Sequence, residues 1–258
     1  MSTPGLVVTH SDAILTIRFD RPEAFNAFSG EMVLETSRLL EEASARDDVR
    51  VVVLTGTGPA FSTGADIGGE SAHERFDVRA LDAANRLIRA IVNCDKPVVA
   101  GVNGIAAGVG LSAALACDLQ VCKESAAFLL AFARVGLMPD GGASVTVASA
   151  IGRARTMRLA LLAEPLGAAE AFEAGLVSHL VTDEEYDDVL AKLAKRLSHG
   201  APLAQAATKR SVNAATLGAL DAALESERTT QTMLLGTADV AEGMRAFSEK
   251  RHPTFTGE

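Results

Sequence analysis

Two glycine-rich segments of this sequence could bind an anion through backbone N–H groups. They are residues 62–66 (STGAD) and 106–110 (AAGVG), and each comes just after an apolar run that predicts a buried strand. Helix N-termini carry unpaired N–H donors and a partial positive charge, and open α/β folds bind ligands at this edge of the sheet. The segments predict either an oxyanion-binding site or glycines that only allow tight turns.

Asp140 is the carboxylate whose surroundings are most unusual. It follows the apolar residues Leu137, Met138 and Pro139, and it precedes a Gly-Gly-Ala-Ser segment that predicts the start of a helix. An aspartate at such a boundary either caps the helix with its side chain or serves as a catalytic base. Both interpretations are open at the level of local sequence.

A dinucleotide-binding interpretation is weaker. Gly108, Gly110 and Ala113 match the G-x-G-x-x-A pattern of nicotinamide and flavin enzymes. That pattern normally opens the first βαβ unit and is followed about 20 residues later by an acid at a strand end. Here it begins past residue 100, and residues 126–133 contain no acid. We therefore interpret the match as accidental and expect no cofactor.

The remaining chemistry-bearing residues do not form a recognisable motif. The five histidines are scattered, and no GxSxG or HExxH sequence occurs. The three cysteines lack the spacing of metal ligands and are expected to be buried reduced thiols; they are Cys94, Cys117 and Cys122. No metal site is expected.

Composition limits the possible partners. The 258 residues carry 24 Lys and Arg against 33 Asp and Glu, a net charge of −9, which argues against nucleic-acid binding. The N-terminus lacks a secretory pattern, and no 18-residue uncharged apolar stretch predicts a membrane span. These features predict a soluble cytoplasmic protein with a full hydrophobic core.

Hydrophobic periodicity predicts the elements that must position these residues. Residues 6–19 predict a β-hairpin, residues 30–45 a helix, and the runs from 49 and 97 two buried strands. Residues 56–69 and most of 127–144 are expected to be loop. A late strand is predicted at 176–181, and helices are predicted at 152–163, 184–198, 201–217, 219–235 and 237–250. We expect an α/β core over residues 1–195 and a helical C-terminal region over 196–258.

Several motifs in order along the chain resemble the crotonase, or enoyl-CoA hydratase/isomerase, superfamily. They are RPEAFNAFS (21–29), VVVLTGTGPAFSTGADI (51–67), KPVVAGVNGIAAGVGLSAALACDLQV (96–121), VGLMPDGGAS (135–144), AEAFEAGLV (169–177) and FSEKRHPTF (247–255). The resemblance implies a spiral of ββα units and a helical C-terminal region that builds a homotrimer or a dimer of trimers. It also implies an acyl-CoA thioester as substrate, so that coenzyme A arrives as part of the substrate.

The resemblance also implies roles for individual residues. The backbone N–H groups of Ala65 and Val109 would form an oxyanion hole for the thioester oxygen. The basic cluster at 250–252 is a candidate phosphate contact or a solvated tail. The residues expected to bind the substrate are Ala24, Asn26, Thr63, Asp66, Ile67, Gly68, Gly108, Phe132, Met138 and Lys250.

This sequence departs from the hydratases of that superfamily in its acids. Where they carry two catalytic glutamates, Ser112 and Phe132 stand here, and neither can activate a water molecule. Asp140, in contrast, is at a position similar to that of the catalytic acid in the enoyl-CoA isomerase branch. The apolar Phe132, Leu137 and Met138 could raise its pKa by desolvation.

The sequence therefore predicts an enoyl-CoA isomerase that moves a 3-enoyl double bond to position 2, with Asp140 as the proton shuttle. Three alternatives are open. One is a hydratase-like enzyme, and another is a dehalogenase-like enzyme in which Asp140 is a nucleophile. The third is a catalytically silent acyl-CoA-binding protein in which Asp140 only caps a helix.

Overall fold

β-Branched apolar runs form a six-stranded sheet at the centre of the fold. The computed structural model describes residues 3–67 and 77–258. Its strand order in this sheet is β1-β2-β3-β5-β7-β10, antiparallel between β1 and β2 and parallel elsewhere. The ten strands within the described ranges are β1 Leu6–Ser11, β2 Ile14–Phe19, β3 Val51–Gly56, β4 Ala60–Ser62, β5 Val98–Val102, β6 Ile105–Ala107, β7 Leu119–Lys123, β8 Ala127–Leu129, β9 Leu166–Gly167 and β10 His179–Val181.

A second, smaller sheet has the order β4-β6-β8-β9, and its strands are only two or three residues long. β4, β6 and β8 are parallel, and β9 joins β8 antiparallel. Each of β3, β5 and β7 adds a strand to the large sheet, and the strand that follows it adds one to the small sheet. This alternation confirms the predicted spiral of ββα units.

Helices close each turn of the spiral and form the C-terminal region. Over residues 3–67 and 77–258 they are α1 Gly30–Ala45, α2 Val78–Asn93, α3 Gly108–Ala116, α4 Ala143–Leu162, α5 Ala168–Glu173, α6 Tyr186–Ser198, α7 Pro202–Thr216, α8 Leu220–Leu234 and α9 Ala238–Ser248. The four last predicted helices are confirmed to within two residues at each end. The predicted helix at 152–163 is only the second half of α4, because Gly152 interrupts the helical backbone with a φ of 76°.

Both faces of the large sheet are buried at its central strands, which explains their continuous apolar sequence. Every residue of β3 and β5 is buried. On one face, Val51, Val53 and Val99 pack against Tyr186 and Leu190 of α6. The other face packs into the main core, so the loops that follow β3 and β5 start from a rigid base.

The short strands are where the structure corrects the sequence analysis. β4 lies inside the segment predicted as the loop 56–69, and β8 lies inside the segment 127–144, which also contains a 3-10 helix at Ala131–Val135. The predicted strand at 176–181 is reduced to the three residues of β10. The predicted boundary at residue 195 falls within α6, and the division into two regions stays a prediction. No helix in the described residues is long and apolar enough to cross a membrane.

Candidate active site

The first predicted oxyanion donor, Ala65, lies just after β4. Ala65 forms a parallel bridge with Phe28, in which Phe28 N donates to Gly64 O at 2.7 Å and Asp66 N donates to Phe28 O at 3.2 Å. Extended residues alternate the side to which their N–H groups point. The N–H of Ala65 is therefore directed away from Phe28 and is left for another acceptor.

The second predicted donor, Val109, is in the first turn of α3. The helix follows β6 directly, and Ala107 at its N-cap has no side chain that could accept a hydrogen bond. The N–H groups of a first helical turn have no acceptor within the helix, and the helix dipole makes this end attractive to negative charge. The N-terminus of α3 can therefore bind an oxyanion.

Close backbone contacts bring these two donors together. Gly64 has a φ of +91°, and a methyl group added there would lie 2.9 Å from Ala107 O and 3.1 Å from Val109 N. A methyl group added to Gly110 would lie 2.5 Å from Ser62 O. The loop after β4 thus touches the start of α3, which requires glycine at both points.

Asp140 is buried in the turn before α4, which packs against the start of α3. Asp140 is 5% exposed, and its Oδ2 accepts a hydrogen bond from Gln231 Nε2 at 3.0 Å. Oδ1 is buried and has no hydrogen-bond partner among the described residues. Burial raises the pKa of Asp140 from its ordinary 3.8 to about 7; the bond from Gln231 opposes this rise, and the nearby carboxylate of Glu227 adds to it.

Ser112 connects the backbone of Asp140 to α3. Its hydroxyl donates to Asp140 O at 2.8 Å. A methyl group added at Gly141 would lie 3.0 Å from Ser112 Cβ and 3.4 Å from Val109 Cγ2. The turn that carries Asp140 therefore packs directly on α3, and Ser112 holds the backbone of this turn.

The interpretation of Asp140 as a helix cap is wrong. The helix after it, α4, has Gly142 at its N-cap, and the capping acceptor comes from a different part of the chain. Glu227 on α8 accepts hydrogen bonds from Gly142 N at 2.7 Å and from Ser144 N at 3.1 Å, and also from the Ser144 hydroxyl. The carboxylate of Asp140 is thus not used for capping.

Two residues at this site, Glu227 and Gln231, were missed by the sequence analysis. Both are on α8, four residues apart, and they are 2% and 0% exposed. Gln231 also accepts from Met138 N at 3.1 Å and donates to Met138 O at 2.8 Å. The available signal was a pair of polar residues at helical spacing on the apolar face of α8, which is unusual for a surface helix.

Apolar side chains border the candidate site. Phe132, which is buried, comes within about 4 Å of the position where a side chain on Gly108 would begin. Met138 is half-buried, and Leu137 is buried. These placements agree with the predicted apolar surroundings of Asp140, although Ser112 and Gln231 add polar contacts.

The N-terminal residues predicted to bind substrate lie along the loop after β4. Phe25 O accepts from Thr63 N at 3.1 Å, and Arg21 pairs with Asp66 at 3.0 Å. Asn26 is fully buried and makes only backbone contacts: it accepts from Arg21 N at 2.8 Å and donates to Thr57 O at 2.9 Å and to Ala60 O at 2.7 Å. The side chain of Asn26 therefore links residue 21 to the turn between β3 and β4 and to the start of β4, and it is not free to contact a ligand.

The other predicted residues are distributed differently. Ala24 ends the 3-10 helix Pro22–Ala24 and is half-buried, and Ile67 packs against the main core. Gly68 lies outside the described residues. Lys250 is exposed just after α9, at a φ of 54°, and its predicted contact with a ligand stays a prediction. The described residues contain no group of three His, Cys, Asp or Glu side chains that could hold a metal ion.

Known proteins are similar to this chain over nearly its whole length. Residues 9–258 match the family described as enoyl-CoA hydratase/isomerase. A Rhodobacter capsulatus protein named probable enoyl-CoA hydratase is 40% identical over 249 residues, 96% of each chain, and the 1,2-epoxyphenylacetyl-CoA isomerase of Escherichia coli K12 is 34% identical over 258 residues, 98% of each chain. The crystal structure of an enoyl-CoA hydratase from Mycobacterium avium subsp. paratuberculosis K-10 is similar with a TM-score of 0.93 and 43% identity, over 99% of this chain and all of that one. This chain therefore belongs to the enoyl-CoA hydratase/isomerase family of acyl-CoA enzymes.

Proposed function

We propose that the protein isomerises 3-enoyl-CoA to 2-enoyl-CoA, with Asp140 as the single group that moves the proton. One observation carries this proposal. Within residues 3–67 and 77–258, Asp140 Oδ1 is the only buried carboxylate oxygen without a hydrogen-bond partner. An unpaired carboxylate oxygen on a turn that packs against the start of α3 is suited to proton transfer at a thioester enolate held by the two proposed N–H donors.

The reaction follows from this geometry in two steps. The thioester oxygen accepts hydrogen bonds from the N–H groups of Ala65 and Val109, and Asp140 removes a proton from carbon 2. The electron pair moves into a dienolate, whose negative charge on the thioester oxygen is stabilised by the two donors. The protonated Asp140 then returns the proton to carbon 4, which leaves the double bond between carbons 2 and 3.

The pKa of Asp140 suits both steps. At a pKa of about 7, the carboxylate is a stronger base than an ordinary aspartate, and its protonated form is still acidic enough to release the proton. Burial is the main cause of the raised pKa, so the group is matched to work near neutral pH.

Hydration would need more than one such group, because water has to be held and activated as carbon 2 receives a proton. Ser112 is fully buried, and its hydroxyl donates to the backbone of Asp140. Phe132 has no polar side-chain atom. These two residues favour the proton shuttle over hydration.

A hydratase is the second candidate, since the Rhodobacter capsulatus relative is named probable enoyl-CoA hydratase and the Mycobacterium avium structure is titled enoyl-CoA hydratase. In this candidate Asp140 would be the acid–base group for water addition. The two reactions differ in their spectroscopic signature, because isomerisation creates the conjugated thioester and hydration removes it.

Ultraviolet absorbance of the conjugated thioester separates these candidates. With a medium-chain 3-enoyl-CoA, the absorbance should grow with wild-type protein and not with Asp140→Asn. Asp187→Asn is the matched control, because Asp187 is an exposed residue in the first turn of α6 and makes the same chemical change far from the site. No growth with the 3-enoyl substrate, together with loss of absorbance from a 2-enoyl-CoA, would replace the isomerase by the hydratase.

We also propose that the protein assembles as a homotrimer or a dimer of trimers. Exposed apolar side chains at the end of α4 and on α5 support an oligomeric state, because isolated exposed groups are common but clusters mark interfaces. They are Met157, Leu161, Leu162 and Phe172. Light scattering of the purified protein would give the mass, and a monomer of 26.8 kDa would contradict this proposal.

A further inference from the structure

We propose that Glu227 and Gln231 of α8 are the positioning residues of the active site, with Gln231 orienting the carboxylate of Asp140 and Glu227 fixing the helix start that follows it. This inference rests on the proposed role of Asp140. It concerns two side chains that do not themselves need to touch the substrate.

Gln231 uses its whole amide group on the turn that carries Asp140. Oε1 accepts from Met138 N at 3.1 Å, and Nε2 donates both to Met138 O at 2.8 Å and to Asp140 Oδ2 at 3.0 Å. Because Oδ2 is held in this way, the rotation of the Asp140 side chain is fixed and Oδ1 is the oxygen left to react. A carboxylate that could rotate would present either oxygen in several orientations.

Glu227 holds the backbone on the other side of Asp140. It accepts from Gly142 N and Ser144 N, two of the donors at the N-terminus of α4 that would otherwise lack a partner. Asp140 is therefore enclosed between a clamp at residue 138 and a cap at residues 142–144, both supplied by one helix. A methyl group added to Gly142 would lie 2.5 Å from Leu220 Cδ1, so α8 is in direct contact with this turn.

Other contacts dock α8 in the orientation that this clamp needs. Asn85 on α2 donates to Leu224 O at 3.2 Å, and Arg228 pairs with Asp82 on the same helix α2. Leu224 is fully buried. The segment from residue 224 to 231 is thus anchored to the core by contacts that do not involve Asp140.

The two residues act on the charge of Asp140 in opposite directions. The N–H of Gln231 stabilises the ionised carboxylate, whereas the negative charge of Glu227 opposes ionisation. Glu227 is the ionisable group whose charge raises the pKa of Asp140. Ser112 approaches from α3, and its hydroxyl is within hydrogen-bond distance of two backbone oxygens, Asp140 O at 2.8 Å and Gly108 O at 3.4 Å.

The test is to titrate Asp140 in the absence of substrate. The titration is followed through the infrared carboxyl band of Asp140, which is identified as the band that Asp140→Asn lacks. We expect Glu227→Gln to move this titration to lower pH and Gln231→Met to move it to higher pH. Glu225→Gln is the matched control, because Glu225 is an exposed acid on the same helix, and it should leave the titration unchanged. Equal titrations in all four proteins, or shifts of Glu227→Gln and Gln231→Met in the same direction, would overturn the proposal.

Turnover provides a second readout that distinguishes this inference from the proposed function. In Gln231→Met, kcat for 3-enoyl-CoA should fall by about 10- to 100-fold with little change in KM, since a hydrogen bond to a charged group is lost. The acid limb of the pH profile should shift with the carboxyl titration in each variant. Absent turnover in the wild type would reject the isomerase function, and the infrared titration would still decide whether Glu227 and Gln231 control Asp140. A Gln231→Met variant that titrates as expected but keeps the wild-type kcat would show that the clamp does not position the reacting group.

Discussion

We compare the free energy of unfolding of Asp140→Asn with that of the wild type. The difference, variant minus wild type, should be larger at alkaline pH than at acidic pH. The reason is that an ionisable group with a raised pKa destabilises the folded state once it has to ionise there. Asp140 has a pKa of about 7 in the folded protein against an ordinary 3.8. Asn has nearly the same shape and cannot ionise.

The magnitude follows from these two values. Below pH 3.8 the residue is protonated in both states and folding is unaffected. As the pH rises towards 7, the unfolded chain loses its proton while the folded protein retains it, so the free energy of unfolding falls. Above pH 7 the loss is complete at about 4 kcal/mol, taking about 1.4 kcal/mol for each tenfold change in proton affinity. Between about pH 5.5 and pH 8.5, the change amounts to roughly 2 kcal/mol.

Urea denaturation at several pH values, at one protein concentration, measures this effect. The free energy of unfolding of Asp140→Asn minus that of the wild type should increase by roughly 2 kcal/mol from about pH 5.5 to pH 8.5. The comparison across pH removes the pH-independent cost of placing an amide in this buried position. A difference that stays constant with pH would refute the reasoning, since it would mean that the pKa of Asp140 is ordinary in the folded protein.

The remaining predictions concern the oxyanion donor and the framework. Val109→Pro removes one donor at a position in the first helical turn where proline is tolerated, so kcat should fall by about 10² to 10³, and an unchanged kcat would exclude this N–H from catalysis. Asn26→Ala removes hydrogen bonds to three backbone groups, of which Ala60 O keeps a bond from Asn103 Nδ2 while Arg21 N and Thr57 O lose their side-chain partner, and it should lower the free energy of unfolding by about 2 kcal/mol in urea. Lys209→Met leaves the half-buried partner carboxylate of Asp118, 2.9 Å away, without its cation. This substitution should lower the free energy of unfolding by about 3 to 5 kcal/mol, and adding Asp118→Asn should restore part of that loss. A thermal unfolding curve of Lys209→Met identical to that of the wild type would contradict this expectation.

The large sheet and the C-terminal helices could be predicted because their signals are local. β3 and β5 are continuous apolar runs, and α7, α8 and α9 repeat their apolar residues at helical spacing. The short strands β4, β6 and β8 could not be predicted, because two or three residues are too few to show a period. Yet β4 and β6 lead directly into Ala65 and Val109.

The amino-acid sequence alone indicated which chemical groups form the candidate site, but it did not indicate their environment. Its motifs named the two backbone donors and Asp140, and they indicated that Ser112 and Phe132 replace acids. Only the tertiary structure decided the environment of Asp140, because its pKa depends on burial and on partners far along the chain. Gln231 contacts it across 91 residues, and Glu227 caps the next helix across 85. No local pattern encodes such contacts; they arise when packing of the apolar face of α8 brings two polar side chains against the turn at residues 138–144.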